Sequence, residues 1–344
     1  MMQNGILILT GQEVLGLLNR RESEIVDVAR KTYEAHAKAE TSLPHSTFLR
    51  FPDDPVNRII SLPAYVGAGF KVAGIKWISS FPGNLEQGLD RASAVVILNS
   101  VETGRPQAIL EGSIISAKRT AASAALAAQT LHNAQETSSV GLIGCGLINF
   151  EVVRFLLTVL ERLQSLVIFD SQPERARQFK NKCQDLSPWI EVKAVARIEM
   201  VFESCSLISI ATTAVSPHIT DLSLRAPAST ILHISLRDLS PEVILSCDNI
   251  VDDLDHAFRA QTSVHLAEQL VRHRDFVSGS LADILLRKIP ARKDKESITV
   301  FSPFGLGILD LALAKMACDL AGKEGKGRII ESFLPDTWLN WDKC

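Results

Sequence analysis

The chain has 344 residues, 46% of them hydrophobic and 22% charged, and a formal net charge of −3. That length and apolar content point to two domains with a large core, and the near-balanced charge gives no reason to expect nucleic acid or a membrane as partner. The six cysteines, Cys145, Cys183, Cys205, Cys247, Cys318 and Cys344, form no C-x-x-C pair. Neither a zinc site nor a disulfide framework is therefore implied, and reduced thiols in a cytoplasmic protein fit best.

Ile6–Leu9 reads as a short strand, with too few apolar residues for the core of a secretory signal. Thr10 stands three residues before Glu13, the spacing of a capping box, so a helix starts there. A longer amphipathic helix is expected over Glu22–Lys38. Strands follow in STFLRF, RIISLP, KVAGIKWIS and ASAVVILN, and the turn SVETGRP joins the last to QAILEG as a hairpin would. Consecutive strands without helices between them indicate an antiparallel or mixed sheet. Ser113–His132 reads as one long helix of small side chains. Its alanine-rich run, Ala121–Ala128, follows Lys118 and Arg119 and falls short of a membrane span.

From Ser139 the rhythm changes to strand–helix alternation, with strands in VGLIG, SLVIFD, VKAVA, LISIAT, TILHIS and NIVDD. Such alternation predicts an α/β fold of Rossmann type, a doubly wound parallel sheet. ITVFS (Ile298–Ser302) is the last strand expected. A final amphipathic helix over Gly305–Gly322 then leaves this sheet and is expected to pack back on the first domain, which makes that domain discontinuous.

The stretch VGLIGCGLINF (Val140–Phe150) turns from a strand through glycines into a helix. Gly144 permits the tight turn, and Gly146 lets backbone approach a pyrophosphate. The helix opening through Cys145, Leu147 and Ile148 turns free N–H groups toward it. Two glycines also suit an ordinary strand–turn–helix, but the next strand ends in Asp170, where an acid belongs against a ribose 2′-hydroxyl. A carboxylate there repels a 2′-phosphate, so NAD is expected rather than NADP. Asn149 replaces the third small residue of the motif, a change in helix–strand packing. Thr212 and Thr213 end the fourth strand and either line the cofactor cleft or cap a strand-end turn.

Three cations stand in apolar or small-residue surroundings: Arg50 in FLRF, Lys76 in GIKWIS and Arg119 in AKRTAAS. Each is individually compatible with a side chain snorkelling to water. Together, ahead of a dinucleotide turn, they point to an anionic substrate, and a desolvated Lys76 would titrate in a range useful for proton transfer. The eight histidines show no metal spacing, so no metal is expected. No G-x-S-x-G or H-E-x-x-H is present, which sets hydrolase and zinc-peptidase chemistry aside.

The pieces FLRF, SLPAYVG, GIKW, RASAVVIL, ETGRPQAILEGSIISAKRTAASAALAA, GLIGCGL and SPFGLGILDLALA, in this order, resemble the ornithine cyclodeaminase/mu-crystallin family over nearly the whole chain. The resemblance implies an α+β substrate-binding and dimerisation domain over 1–135, completed by 305–344. A Rossmann NAD domain over 136–304 and a homodimer are implied with it. Arg50 and Arg119 are then expected to hold substrate carboxylates, with Lys76 adding charge and moving protons. Ser93 is expected on the substrate side of the nicotinamide, Ser235, Phe304 and Gly305 along its border, and Thr120 with the cofactor. True cyclodeaminases carry a Glu where Ile60 stands and an Asp where Leu236 stands. Asp238, displaced by two, is the acid left for a catalytic part. GIKWISS, DRASAVVILN and ISLRDLSPEV are similar to the branch that oxidises N-(2-amino-2-carboxyethyl)-L-glutamate with NAD, giving 2-oxoglutarate and L-2,3-diaminopropionate. Other imine reductases or amino-acid dehydrogenases, a cyclodeaminase, and a non-catalytic nucleotide binder of the same family are the alternatives.

Overall fold

The computed structural model describes residues 4–226, 228–294 and 296–337. The first elements are β1 (Ile6–Leu9), α1 (Gly11–Leu18), α2 (Glu22–Ala37), β2 (Thr41–Ser42), β3 (Thr47–Phe51), β4 (Asp54–Val66), β5 (Val72–Ser80), β6 (Ala94–Asn99), β7 (Pro106–Glu111) and α3 (Ser113–Leu131). Then come β8 (Ser139–Ile143), α4 (Leu147–Val159), β9 (Ser165–Phe169), α5 (Pro173–Leu186), β10 (Glu191–Ala194), α6 (Glu199–Ser204), β11 (Leu207–Ile210), β12 (Thr230–His233) and α7 (Pro241–Leu245). The chain closes with β13 (Asp248–Val251), α8 (Ser263–Val271), β14 (Val277–Ser280), α9 (Leu281–Leu285), β15 (Thr299–Ser302), α10 (Gly307–Glu324) and β16 (Arg328–Ile330). Two compact units emerge. The first holds residues up to Arg21, Lys38–Arg119 and everything from Leu306 onward; the second holds Glu22–Ala37 and Thr120–Gly305. The expected division after residue 135 and this one differ by the second half of α3, and α2 goes with the second unit.

In the first unit a mixed sheet runs in the order β16-β1-β7-β6-β5-β4-β2, with β3 also on β4. Its meander β3–β7 is antiparallel throughout, and β1 joins β7 in parallel. The two-residue period of a strand sorts its side chains. Leu62, Ala64, Val66, Val72, Lys76, Val96, Leu98, Ala108 and Leu110 are buried. The alternate residues Leu49, Tyr65 and Trp77 are exposed. The buried face lies under α10, whose Gly307 comes so close that a Cβ there would sit 3.1 Å from the Leu62 carbonyl. The helix expected from Gly305 thus starts at Gly307 and does return to the first sheet. Thr10 and Glu13 form the expected capping box at α1. β16, a three-residue partner of β1, is too short to show a pattern in sequence and was not expected.

The second unit has an all-parallel sheet ordered β10-β9-β8-β11-β12-β15-β13-β14. β8 and β11 lie side by side although three strands and helices separate β8 from β11's neighbour β12 in the wind. This is where the winding reverses and ligands collect in such sheets. Strand β14, in VSGS, has no apolar alternation and escapes sequence reading. No helix of the described residues is long and apolar enough to cross a membrane.

Candidate active site

Lys76 projects from β5 onto the buried face, and only 1% of it is exposed. Its Nζ lies 2.7 Å from Asp310 Oδ2 and donates to Ser116 Oγ at 3.1 Å. Asp310, fully buried on α10, accepts from Arg119 Nε at 3.0 Å through its other oxygen. One carboxylate thus holds two cations from α3 and β5. Burial drives the Lys76 pKa down, Asp310 pulls it up, Arg119 pushes it down again, and the balance is about 8. A lysine so placed changes charge near neutrality. Asp310 and Ser116 were missed in the sequence. The signal was available for Asp310: GILDLALA has one acid in an otherwise apolar helix, and a buried acid needs a cation.

The third expected cation stands apart from that bonding. Arg50 is exposed on β3, its guanidinium 5.8 Å from the centre of the Phe48 ring. Ser93 does not join Lys76 either. It opposes Ser79, with the two hydroxyls 2.9 Å apart, and side-chain alternation puts both on the face opposite Lys76. Its hydroxyl and N–H are bonded to Ser79 across the end of β5 and β6. Ile60, where a cyclodeaminase has its acid, lies in an apolar row between Phe48 and Ile78.

In the second unit Gly144 has φ +90°, and a Cβ on it would meet the Ala211 carbonyl at 2.4 Å. Only glycine fits that approach of β8 to β11. Gly146 is the N-cap of α4, has no side-chain cap, and a Cβ on it would meet no atom of the described residues within 4 Å. An anion such as a pyrophosphate fits this arrangement. Leu147 and Ile148 open the helix there. Cys145 contributes differently from expectation: its N–H goes to Asp170 Oδ2 at 2.8 Å. Burial, then the charge of Asp170, pushes its thiol up to about 12. The other oxygen of Asp170 accepts the Gln172 N–H at 2.9 Å. Asp170 is therefore fixed against the turn through both of its side-chain oxygens. Asn149 does more than pack. Fully buried, it donates to the Ile143 and Gly144 carbonyls at 3.0 and 2.7 Å and accepts from Ser209 Oγ at 2.7 Å. It is a polar strut that a glycine would not supply.

Asp238, expected among the catalytic residues, is fully buried and accepts hydrogen bonds from the Thr212 and Ser235 hydroxyls. His233 Nε2 is 3.3 Å from its carboxylate. Burial opposes ionisation, but these bonds win and hold its pKa down to about 2. A carboxylate so bound organises the loop after β12 through the Thr212 and Ser235 hydroxyls. Thr212 and Ser235 are spent on the same knot; Thr213 is exposed. Leu236 adopts φ +69°, and its carbonyl accepts from the Ser263 N–H at 2.7 Å. Phe304 and Gly305 give their N–H groups to Asp252, at 2.9 and 2.7 Å, so this buried acid, also missed, anchors the segment after β15. Thr120 is half-buried on α3. Among the described residues no group of three or more His, Cys, Asp or Glu could hold a metal.

Comparisons with known proteins agree with this geometry. The chain is 28% identical to N-((2S)-2-amino-2-carboxyethyl)-L-glutamate dehydrogenase of Staphylococcus aureus over 319 residues, 90% of this chain and 93% of the relative. The fold is similar to that of Thermococcus litoralis Δ1-pyrroline-2-carboxylate reductase in complex with NADH and L-proline. The TM-score is 0.87 and the identity 22%, covering 94% of this chain and 99% of the other. It is similar as well to an archaeal alanine dehydrogenase dimer with bound NAD, at TM-score 0.85 and 25% identity, covering 95% and 99%. The family model described as ornithine cyclodeaminase/mu-crystallin matches residues 20–325, and the chain belongs to that family.

Proposed function

We propose that the chain is an NAD-dependent oxidoreductase acting on a CH–NH bond. We further propose that its substrate is N-(2-amino-2-carboxyethyl)-L-glutamate, cleaved to 2-oxoglutarate and L-2,3-diaminopropionate. The buried Lys76–Asp310–Arg119 cluster carries this reading, because it sets a titrating lysine and a guanidinium on one carboxylate in the unit that bears the other expected substrate cation. The S. aureus relative's activity and the absence of an acid at Ile60 and Leu236 favour this substrate over ornithine.

The turn at Gly144–Ile148 and the fixed acid Asp170 fit a dinucleotide with a free 2′-hydroxyl, hence NAD. Bound NAD supplies the oxidation: Cα of the glutamate half loses a hydride and the nitrogen a proton, and one water splits the resulting imine into ketone and amine. The protein's own residues handle charge. Lys76 as an ammonium neutralises the carboxylate beside the reacting carbon; as an amine, above about pH 8, it accepts the departing proton. Asp310 and Ser116 fix the direction of its Nζ. Arg119, held through Nε, presents its fork to the same carboxylate, and Arg50 offers a second one from β3. The uncovered sheet face with Leu49, Tyr65 and Trp77 supports association with a second copy, as in the archaeal dimer.

The test is spectrophotometric. Protein, NAD and the conjugate should give NADH and 2-oxoglutarate in equal amounts. Proline and ammonia from ornithine without net NADH would instead make it a cyclodeaminase. Oxidation of proline or alanine with none of the conjugate would move it to another branch of the family.

A further inference from the structure

We propose that the Ser116 hydroxyl relays the proton between the substrate nitrogen and the buried amine of Lys76. The relay rests on the proposed oxidation of a CH–NH bond and says how the proton of that reaction travels. The cluster around Asp310 is closed on most sides. Asp310 is 0% exposed and Lys76 1%, and the Arg119 side chain is 12% exposed. The residues directly across from Lys76 on β4 and β6, Leu62 and Val96, are buried and apolar. Gly307 of α10 lies against Leu62. Ser116, near the start of α3, is the half-buried member of the group. The Lys76 Nζ reaches its oxygen at 3.1 Å and Asp310 at 2.7 Å.

The chemistry of the neighbours singles out the hydroxyl as the way in and out. A proton moves between groups within hydrogen-bond reach, and a carrier must both donate and accept. Arg119 only donates, because a guanidinium stays protonated and has no acceptor. Asp310 accepts, but it is fully buried and already holds two cations. A serine hydroxyl has one hydrogen to give and lone pairs to take another. As Cα gives its hydride to NAD, the nitrogen–hydrogen bond of the neutral amine breaks and that proton joins Ser116 Oγ. The hydroxyl's own hydrogen passes to the Nζ lone pair. The lysine ends as an ammonium against Asp310, the serine is again a hydroxyl, and the substrate is a neutral imine. Ser116 and Arg119, three residues apart on α3, share a helix face. Arg119 Nη2 stands 3.5 Å from the Ser116 oxygen and favours negative charge on it as its hydrogen leaves. The charges that act on Nζ are those of Asp310 and Arg119, and their balance with burial, near 8, lets the amine form under mildly alkaline conditions.

Two measurements test it. The first compares Ser116→Thr with Ser116→Val, side chains of one shape and one β-branch that differ in the hydroxyl. It is run on whichever amine the wild type oxidises with NAD, the conjugate first and then alanine and proline. Ser116→Thr should stay within about tenfold of wild-type kcat/KM and keep its rise through about pH 8, whereas Ser116→Val should lose about a hundredfold or more together with that rise. Equal turnover and equal pH profiles in the two variants overturn the relay and leave the reaction standing. No NADH from any of these amines removes the reaction, and the relay with it. The second measurement needs no turnover and only the wild type: competitive labelling of the full chain with acetic anhydride. Lys76 should be acetylated more slowly than Lys31, whose side chain is 63% exposed. The expected factor is about a hundred or more, because a buried amine reacts only when the structure opens locally. Acetylation of Lys76 as fast as that of Lys31 overturns the relay, since an amine that meets a reagent directly needs no carrier.

Discussion

The two units place their chemistry by opposite means. In the second, the proposed cofactor turn is made within a few consecutive residues, Gly144 to Asn149, and offers chiefly backbone groups. In the first, the cluster is made of side chains from three distant elements, with Arg119 and Asp310 191 positions apart. The difference is one of physics. A phosphate-binding turn needs only N–H groups free at a helix start and room to approach them, which a local sequence can specify. A buried cation needs a counter-charge, and any element that packs there can provide it.

Asp310→Asn attacks the cluster where it is most coupled, since it leaves Lys76 and Arg119 sharing a neutral amide. Breaking a buried ion pair from one side costs about 3–5 kcal/mol. Urea unfolding should show a loss of that size, and activity should collapse with it. Unchanged stability would mean that the two cations do not depend on Asp310.

Lys76→Met should lower kcat/KM by about 10²–10⁴, the usual worth of a positioned proton carrier, while NAD affinity stays the same. Wild-type oxidation should rise as pH passes through about 8, and the variant should lack that rise. Stability gives an independent sign. The folded value lies below the ordinary lysine value of 10.5, so the unfolded chain binds more protons between about 8 and 10.5. This group therefore makes the fold more stable as pH increases across that window, and Lys76→Met should remove the effect. A turnover loss accompanied by weaker NAD binding would blur the division of labour between the units.

Asn149→Ala is the matching test of the nucleotide unit. It removes the partner of the Gly144 carbonyl and the Ser209 hydroxyl, at about 1–3 kcal/mol for a buried polar group left unmatched, while the Ile143 carbonyl keeps the Ala211 N–H. The melting temperature should fall and recover in part with saturating NAD. A glycine-like tolerance at this position would reduce Asn149 to a space filler. The smallest effect expected is on assembly: Trp77→Glu, on the uncovered sheet face, should shift light-scattering mass toward the monomer with little change in melting temperature.

Much of the fold was legible before any coordinates. The alternation of period two in GIKWISS, the capping box at Thr10 and the strand–helix rhythm from Ser139 all correspond to elements found. Short strands without a pattern, β14 and β16, were not legible, because nothing local distinguishes three or four residues paired at a sheet edge. For the site, the turn from strand through Gly144 and Gly146 into a helix is the one read from the sequence, and Asp170 follows the next strand beside it. The hydrogen bonds that Thr212 and Ser235 give to the buried Asp238 were not legible, because hydroxyls and a carboxylate remote in sequence meet only once the strand ends are brought together. The pairing of Ser93 with Ser79 likewise follows from strand register, which no local pattern supplies.

The amino-acid sequence by itself determined the class of fold, the family and NAD as the cofactor. Each follows from neighbours in the chain or from short periodic patterns. Only the tertiary structure decided that Asp310 holds Lys76 and Arg119, that Asp238 is an internal strut, and that Arg58 and Ser80 share a row with Arg50. Such facts depend on which strands pair and in what register, and a charge finds its partner only after the chain has brought remote elements together.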